Sequence, residues 1–340
     1  MINKTMSNTK QDKYIEVVIS PLSGLNIMTP DSCGEICNIL KNHFTKVETT
    51  VIKKKANLES LIKKRPDLVF SGVKYVGFTK DSVHRESKDK IWLSEYLESK
   101  GISCTASKVA ALKLEFNKVL AKEEMQRNNI NTAPFFVAEP GQYKKNKGLP
   151  LPFPLFIKPI YEGNGKGIDQ NSIVGNFDTF EKKVKSIYEE LKTSSLVEKY
   201  LSGREFTVGV FDSGLNGEKI AMPVELMAMP DEHGNKILSI EAKTQDKEQL
   251  IFIQDAKERE RIGEFAKKAF TALGARDYGR IDIRMDENGV PYFLEGNLMP
   301  GLNPHKSYFI KTCKINGQAN FEEAILRIAE TGLKRGGMTL

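Results

Sequence analysis

The segment Tyr278–His305, YGRIDIRMDENGVPYFLEGNLMPGLNPH, constrains this chain more than any other. Two alternating runs, Arg280–Met285 and Val290–Glu295, flank the turn Asp286-Glu-Asn-Gly289. Asn-Gly between such runs predicts a β-hairpin, because a tight turn needs residues that accept positive φ. Alternation puts Arg280, Asp282 and Arg284 on one face and Ile281, Ile283 and Met285 on the other. Across a short hairpin, Asp282 comes near Glu295, with Asn297 beside them. Two carboxylates and an amide oxygen are hard ligands, suited to Mg²⁺ with phosphate oxygens completing its octahedron. A solvated polar face on an ordinary hairpin is the plain alternative. Against it, Pro300-Gly301 and a polar loop follow the strand end, where sites form.

Two further segments carry chemistry. Leu155–Ile168, LFIKPIYEGNGKGI, reads as a buried strand that delivers Lys158 into a loop with Gly163, Gly165 and Gly167. Glycines let backbone amides approach phosphate oxygens closely. The loop is not a GxxxxGK[ST] loop, since no Ser or Thr follows Lys166, and its spacing is not GxGxxG. Leu196–Glu205, LVEKYLSGRE, offers strand backbone for an adenine and the Glu205 carboxylate for ribose hydroxyls. A plain amphipathic strand fits that segment as well.

The rest of the chain sets the frame. Strands are expected at Tyr14–Ser20, Val47–Ile52 and Asp67–Ser71. Between the first two, Ser32-Cys-Gly-Glu35 reads as a capping box opening a helix with Cys33, Ile36, Cys37, Leu40 and Phe44 on its apolar face. Asp81–Lys100 ends with helical spacing at Ile91, Leu93, Tyr96 and Leu97. Such alternation predicts a small, mostly parallel α/β sheet. Lys113–Asn128 reads as a helix, and Ala138–Leu149 as a polar surface loop. Phe180, Val184, Ile187, Tyr188 and Leu191 mark an amphipathic helix. Leu196–Leu201, Glu205–Phe211 and Lys219–Leu226 are strand-rich. A helix through Ile262, Phe265, Ala266, Ala269, Phe270 and Leu273 stops at Gly274, and a last helix covers Phe321–Gly332.

Composition excludes several classes. The 340 residues suggest two or three domains at about 150 residues each. A 40% apolar content is enough for a buried core and excludes disordered or collagen-like chains. Runs such as Ile15–Ile19 and Leu149–Ile157 are far shorter than the roughly 18–20 residues of a bilayer span. The polar opening MINKTMSNTKQDK has no apolar signal region, so a cytoplasmic protein without a membrane partner is expected. The four cysteines, Cys33, Cys37, Cys104 and Cys313, form no CxxC pair and stand far from any histidine cluster. Neither a disulfide framework nor a zinc site is expected. Lys plus Arg exceed Asp plus Glu by 51 to 44, giving a net charge of +7 and raising the question of an anionic partner. Lys53-Lys-Lys55, Lys63-Lys-Arg65 and Lys144-Lys145 are the best support for nucleic acid, yet they are short, scattered and lack interleaved aromatics. No nucleic-acid partner is expected.

Together FNKVLAKEEMQRNNINTAPF, LFIKPIYEGNGKGI, VEKYLSGREFTVGVF, IEAK and the Tyr278–His305 segment resemble the ATP-grasp superfamily, and within it the D-alanine–D-alanine ligase family. The resemblance runs from about Ala106 to the C-terminus. It implies an α/β fold of three domains: an N-terminal parallel-sheet domain at 1–112 and two that grasp ATP between antiparallel sheets, 113–202 and 203–340. It implies Lys118 and Lys158 on the nucleotide phosphates, with the Gly163–Gly165 loop over them. Glu198, Lys199 and Leu201 match the adenine segment, and Glu205 the ribose carboxylate. Lys243 matches a lysine aimed at the transferring phosphate. Asp282, Glu295 and Asn297 match the Mg²⁺ ligands, with Mn²⁺ as an alternative ion. Arg280 matches the arginine facing the acyl phosphate, the Gly301 amide an oxyanion donor, and His305 the PGxxxH spacing. A lid at Pro230–Gln254 is expected, and a homodimer is compatible with the family.

The departures fall on the substrate side. The family's acidic residue in the first strand-to-helix loop is replaced by Leu25 or a close neighbour within SPLSGLNIMTPDSCGE. Gly72–Lys90 stands where the family has His-Gly…Gly-Glu-Asp-Gly, and Gly163-Asn164-Gly165 replaces a Gly-Ser-Ser loop. Lys306 occupies a usual serine position near the second substrate's carboxylate. The expectation is an ATP-dependent carboxylate–amine ligase with small-molecule substrates other than two D-alanines. A genuine D-alanine–D-alanine ligase is the alternative, and a basic nucleic-acid-binding module the non-enzymatic one.

Overall fold

The computed structural model describes residues 9–79, 82, 90–145, 148–161, 163, 165–212, 218–228 and 248–337. The chain opens on β1 (Gln11–Ile19), buried from Ile15 to Val18. Helix α1 (Pro30–His43) starts before the expected Ser32. Its N-cap is Thr29, whose Oγ1 accepts from the Ser32 N–H at 3.2 Å, and Pro30 takes the first position, where a missing N–H costs nothing. Ser32 therefore lies inside the helix and is not its cap. The expected face is buried: Cys33, Ile36, Cys37 and Leu40. Then come β2 (Phe44–Val51), α2 (Lys55–Lys64) and β3 (Leu68–Ser71), and the three strands form a parallel sheet in the order β2-β1-β3. This is the α/β opening expected from the alternation. A short antiparallel pair, β4 (Tyr75–Val76) and β5 (Ile91–Trp92), leads into α3 (Leu93–Glu98), which buries Leu93 and Leu97.

The single helix expected at Lys113–Asn128 is two: α4 (Val109–Phe116) and α5 (Lys118–Arg127). Asn117 between them is extended, and its Oδ1 accepts from the Val119 and Leu120 N–H groups at 3.0 and 3.1 Å. Asn competes with the helical backbone for hydrogen bonds, which makes it a better cap than interior residue. The break places Lys118 at the first position of α5.

The central sheet contains β6 (Phe135–Ala138), β7 (Leu155–Pro159), β8 (Ile173–Val174) and β9 (Ser195–Lys199), antiparallel in the order β6-β9-β7-β8. Ala138 ends β6 fully buried, so the surface loop begins one residue later than expected. Helix α6 (Phe177–Leu191) packs Phe180, Val184 and Ile187 on this sheet, while Tyr188 is turned outward beside Lys192.

The C-terminal sheet has five antiparallel strands, β10 (Glu205–Asp212), β11 (Lys219–Ala228), β12 (Glu248–Phe252), β13 (Tyr278–Met285) and β14 (Pro291–Asn297). Their order is β12-β11-β10-β13-β14. Helix α7 (Ala256–Ala272) covers the Ile281 face, where Phe270 fills the space beside Gly279. Helix α8 (Tyr308–Ile315) seats on the other face over Gly209, where a Cβ would stand 2.2 Å from Thr312 Oγ1. Helix α9 (Phe321–Gly337) outruns the expected end and returns to α1 and β3. One apolar cluster joins Ile36 and Leu40 of α1 to Ile325 and Ile328 of α9 and to Phe206 and Ile281. All four cysteines are buried and unbonded. Among the described residues, no helix is long and apolar enough to cross a membrane.

Candidate active site

A cleft opens between the central and C-terminal sheets, and most residues singled out from the sequence meet there. Lys118, Lys158, Gly163, Gly165 and Glu198–Leu201 line it from one side, and Glu205, Arg280, Asp282 and Glu295 from the other. Lys243 and most of the expected lid lie outside the described residues. The end of that lid, Glu248–Phe252, is strand β12 and not loop. Gly301, His305 and Lys306 are exposed and do not line the cleft. Their loop is held by Asn303, whose Oδ1 accepts from the His305 and Lys306 N–H groups at 3.0 and 2.8 Å.

The hairpin has the expected register. Asp282 pairs with Glu295 and Arg280 with Asn297, followed by a bulge after Asp282. Asp286 closes the turn, its Oδ1 accepting from the Asn288 and Val290 N–H groups, each at 2.9 Å, with Gly289 at φ 76°. Asp282 is engaged from three directions: Thr207 Oγ1 donates at 2.7 Å, Arg280 Nε and Nη2 at 3.0 and 2.9 Å, and Asn297 Nδ2 at 3.4 Å. Burial opposes the charge on Arg280, but Asp282, with Glu295 and Tyr308, holds its pKa above the usual arginine range. Among the described residues, no three His, Cys, Asp or Glu side chains form a metal cluster. The third donor here is an amide. Two carboxylates and an amide oxygen gathered at one strand pair do fit a hard divalent cation.

On the opposite wall, Lys158 Nζ donates to Glu198 Oε2 at 2.7 Å, and both side chains are buried. Glu198 also pairs with Lys122, which is wholly buried beneath the cleft. Lys122 reaches Thr132 Oγ1, and Thr132 in turn donates to the Phe293 carbonyl at 3.3 Å, so this network joins the two sheets. Burial would push the Glu198 carboxyl up, but the two ammonium groups outweigh it and hold it below the usual carboxylate range. Burial pulls Lys122 down to about 8, with Glu198 opposing and Lys158 adding to the fall. Lys122 has no part in the sequence reading, although its spacing of four from Lys118 puts both on one helix face. The Lys199 side chain points away, toward Glu287 Oε1 at 3.3 Å.

Toward the other end, Leu201 with Phe156, Ile168, Leu226 and Leu294 makes the wall apolar. There Glu205 Oε2 accepts from Arg284 Nη1 at 2.9 Å. The Arg284 guanidinium carbon lies 5.5 Å from the centre of the Tyr200 ring. Tyr308 lines the opposite end with its ring 5.3 Å from the guanidinium of Arg280. The alternation puts Arg284 on the polar face without giving it a role; nothing local in the sequence points to Tyr308.

A family model described as D-ala D-ala ligase C-terminus matches residues 124–330. A Sinorhizobium fredii protein described as uncharacterized is 30% identical over 218 residues, 63% of this chain and 62% of its own length. A D-alanine–D-alanine ligase of Hydrogenovibrio crunogenus is 28% identical over 212 residues, 62% of this chain and 63% of its own length. The matched part of this chain thus spans less than two thirds of these relatives. The crystal structure of a D-alanine–D-alanine ligase from Bacillus anthracis complexed with ATP superposes with a TM-score of 0.72 at 21% identity, covering 96% of this chain and 99% of that one. The expected three-part ATP-grasp fold agrees with that likeness. With more than half of its residues matching the family model, the chain belongs to the D-alanine–D-alanine ligase C-terminal family.

Proposed function

We propose that the protein is an ATP-dependent ligase that joins a small carboxylate to an amine, with domains at 1–112, 113–202 and 203–340. The observation that carries the reading is one cleft between the two sheets. It sets Lys118 and Lys158 across from Arg280, Asp282 and Glu295, with an apolar end that carries Glu205. A substrate carboxylate oxygen attacks the γ-phosphorus of ATP; the bond to the β,γ-bridging oxygen breaks, and ADP leaves from an acyl phosphate. The amine attacks the acyl carbon, phosphate departs with the C–O bonding pair, and the nitrogen loses a proton. Lys118 and Lys158 neutralise phosphate oxygens, and Arg280 balances charge on the acyl phosphate. Gly163 and Gly165 let backbone N–H groups approach the phosphates. Asp282, Glu295 and Asn297 would hold Mg²⁺ or Mn²⁺, which supplies positive charge at the phosphates as phosphoryl transfer requires. Lys243 is aimed at the same phosphoryl group in this reading.

The substrate side differs from a site built for two D-alanines. Leu25, at or next to the position where an ammonium-binding carboxylate is expected, is buried, and Lys306 adds a cation to the exposed loop outside the cleft, suited to an acidic or larger carboxylate partner. The deciding experiment uses purified protein, ATP and Mg²⁺ against a panel of D- and L-amino acids and dipeptides. Phosphate release and product mass are read together. Release with D-alanine alone, giving its dipeptide, would replace this reading with the D-alanine–D-alanine one. No release with any amine–carboxylate pair, and no ATP binding, would remove both.

A further inference from the structure

We propose that Arg284 is a positioning residue for the nucleoside: it fixes the Glu205 carboxylate for the ribose hydroxyls and so sets selectivity for a ribonucleotide. The inference rests on the ATP reading of the cleft and extends it to a residue with no role so far.

Strand register carries the argument. Glu205 and Arg284 are direct partners across β10 and β13, as Thr207 and Asp282 are two residues along. Arg280, Asp282 and Arg284 thus form one row on the cleft face. Successive members are about 7 Å apart at the usual antiparallel rise. If the phosphates lie at Asp282, a nucleoside in line with them reaches Arg284. The wall there is lined by Tyr200, Leu201, Leu226 and Leu294, a surface suited to a planar base.

The geometry divides the work between the two charges. Arg284 Nη1 donates to Glu205 Oε2 at 2.9 Å, and the side chains of both are mostly buried, at 11% and 15% exposure. The guanidinium lies against Tyr200, with Nη2 3.5 Å from the Tyr200 hydroxyl. A planar, always-charged fork held on a ring and a carboxylate loses little freedom on binding. A carboxylate has about four acceptor sites. Arg284 holds one oxygen of it, Oε2, and so sets the plane in which the carboxylate meets the ribose hydroxyls. It also offsets the repulsion between Glu205 and the triphosphate. Without the guanidinium, the carboxylate loses the contact that orients Oε2, and the 2′-hydroxyl loses its fixed acceptor.

The test compares ATP with 2′-deoxyATP in wild type, Arg284→Met, Arg284→Lys and Glu205→Gln, with melting curves as the folding control. Expected in wild type is a preference of about tenfold for ATP, the size of one hydrogen bond to a charged group. In Arg284→Met the preference falls to near one, through a higher KM for ATP and not a lower kcat. Arg284→Lys restores part of it. Glu205→Gln loses the same preference, and the double variant loses no more. An unchanged ATP to 2′-deoxyATP ratio in a folded Arg284→Met protein would overturn the proposal. A loss confined to kcat would do the same. A wild-type protein that binds neither nucleotide would overturn the ligase reading itself, and this inference with it.

Discussion

Asp282 separates chemistry from folding because the groups around it do not all need its charge. Asparagine at this position keeps one oxygen for Thr207 and Arg280 Nε but loses the acceptor of Arg280 Nη2 and Asn297 Nδ2, so Asp282→Asn should still fold, with a moderately lowered melting temperature. Under the proposed ligase reading, losing this carboxylate should still lower turnover by at least about a hundredfold. Glu295→Gln should behave alike, and phosphate release at the wild-type rate from either variant would disprove the metal assignment. Lys122 makes the opposite case. Replacing it with Met leaves Glu198 buried with Lys158 alone, at a cost of about 3 kcal/mol, read as a lower urea midpoint. The pH dependence follows from its lowered pKa. Held at about 8 when folded, against roughly 10.4 unfolded, Lys122 sheds its proton earlier in the folded state. The unfolded chain then binds more protons between those values, so stability from this residue rises with pH across that window. Raising the pH from 8 to 10 should therefore stabilise wild type relative to Lys122→Met. An unchanged gap between the two midpoints would show that Lys122 is not shifted. The meeting of Asp282 and Glu295 was readable from spacing because a hairpin brings alternate residues together. Lys122 was not, because its burial comes from Glu198 and β14, far along the chain.

The hairpin and the central strands owe their legibility to short-range rules. Period-two alternation and Asn-Gly act within a few residues, so β13 and β14 appear where the pattern places them. The break between α4 and α5 depends on a longer reach. The apolar pattern runs through Asn117, yet the Lys118 N–H donates to the Ile160 carbonyl at 3.3 Å, outside its own helix. Asn117 supplies the break locally as the cap of α5, and this contact gives an otherwise unpaired first-turn N–H of α5 its partner, so the break is fixed in place by β7's end. The loop from β9 to β10 is tied in the same way. The Gly203 N–H donates to the Met285 carbonyl at 3.0 Å, and a Cβ on Gly203 would stand 2.4 Å from the Asp286 carbonyl oxygen. Backbone cannot retreat as a flexible side chain can. Gly203→Ala should cost about 1–3 kcal/mol, as overpacking does, and should displace Glu205 two residues on. A matching rise in the KM for ATP is expected. An alanine variant with wild-type stability would show that the loop does not need this close approach.

The net charge of +7 says little about what the whole molecule binds, since many of its cations are spent on internal pairs. Arg335 of α9 is one. It pairs with Asp277, which is buried at 1% exposure and sits at φ 63° just before β13. Asp277 Oδ2 also accepts from the Ala106 N–H at 3.0 Å, while the Ser103 hydroxyl donates to the Gly332 carbonyl at 2.7 Å. One carboxylate thus joins the last helix, the strand that carries the candidate metal ligands and the segment leading out of the N-terminal domain. No pattern in the sequence announces this, because the partners are 58 and 171 residues from Asp277. Arg335→Met leaves that carboxylate buried with a backbone donor as its main support, at a cost of about 3 kcal/mol. The loss should be felt first where α9 meets β3, through Gly332 and Leu68. Hydrogen exchange should quicken together in α9 and β3 while β10 and β13 keep their protection. Uniform loss of protection across the parallel, central and C-terminal sheets would mean instead that the clamp supports the fold as one unit, and equal protection in both proteins would mean that it supports nothing.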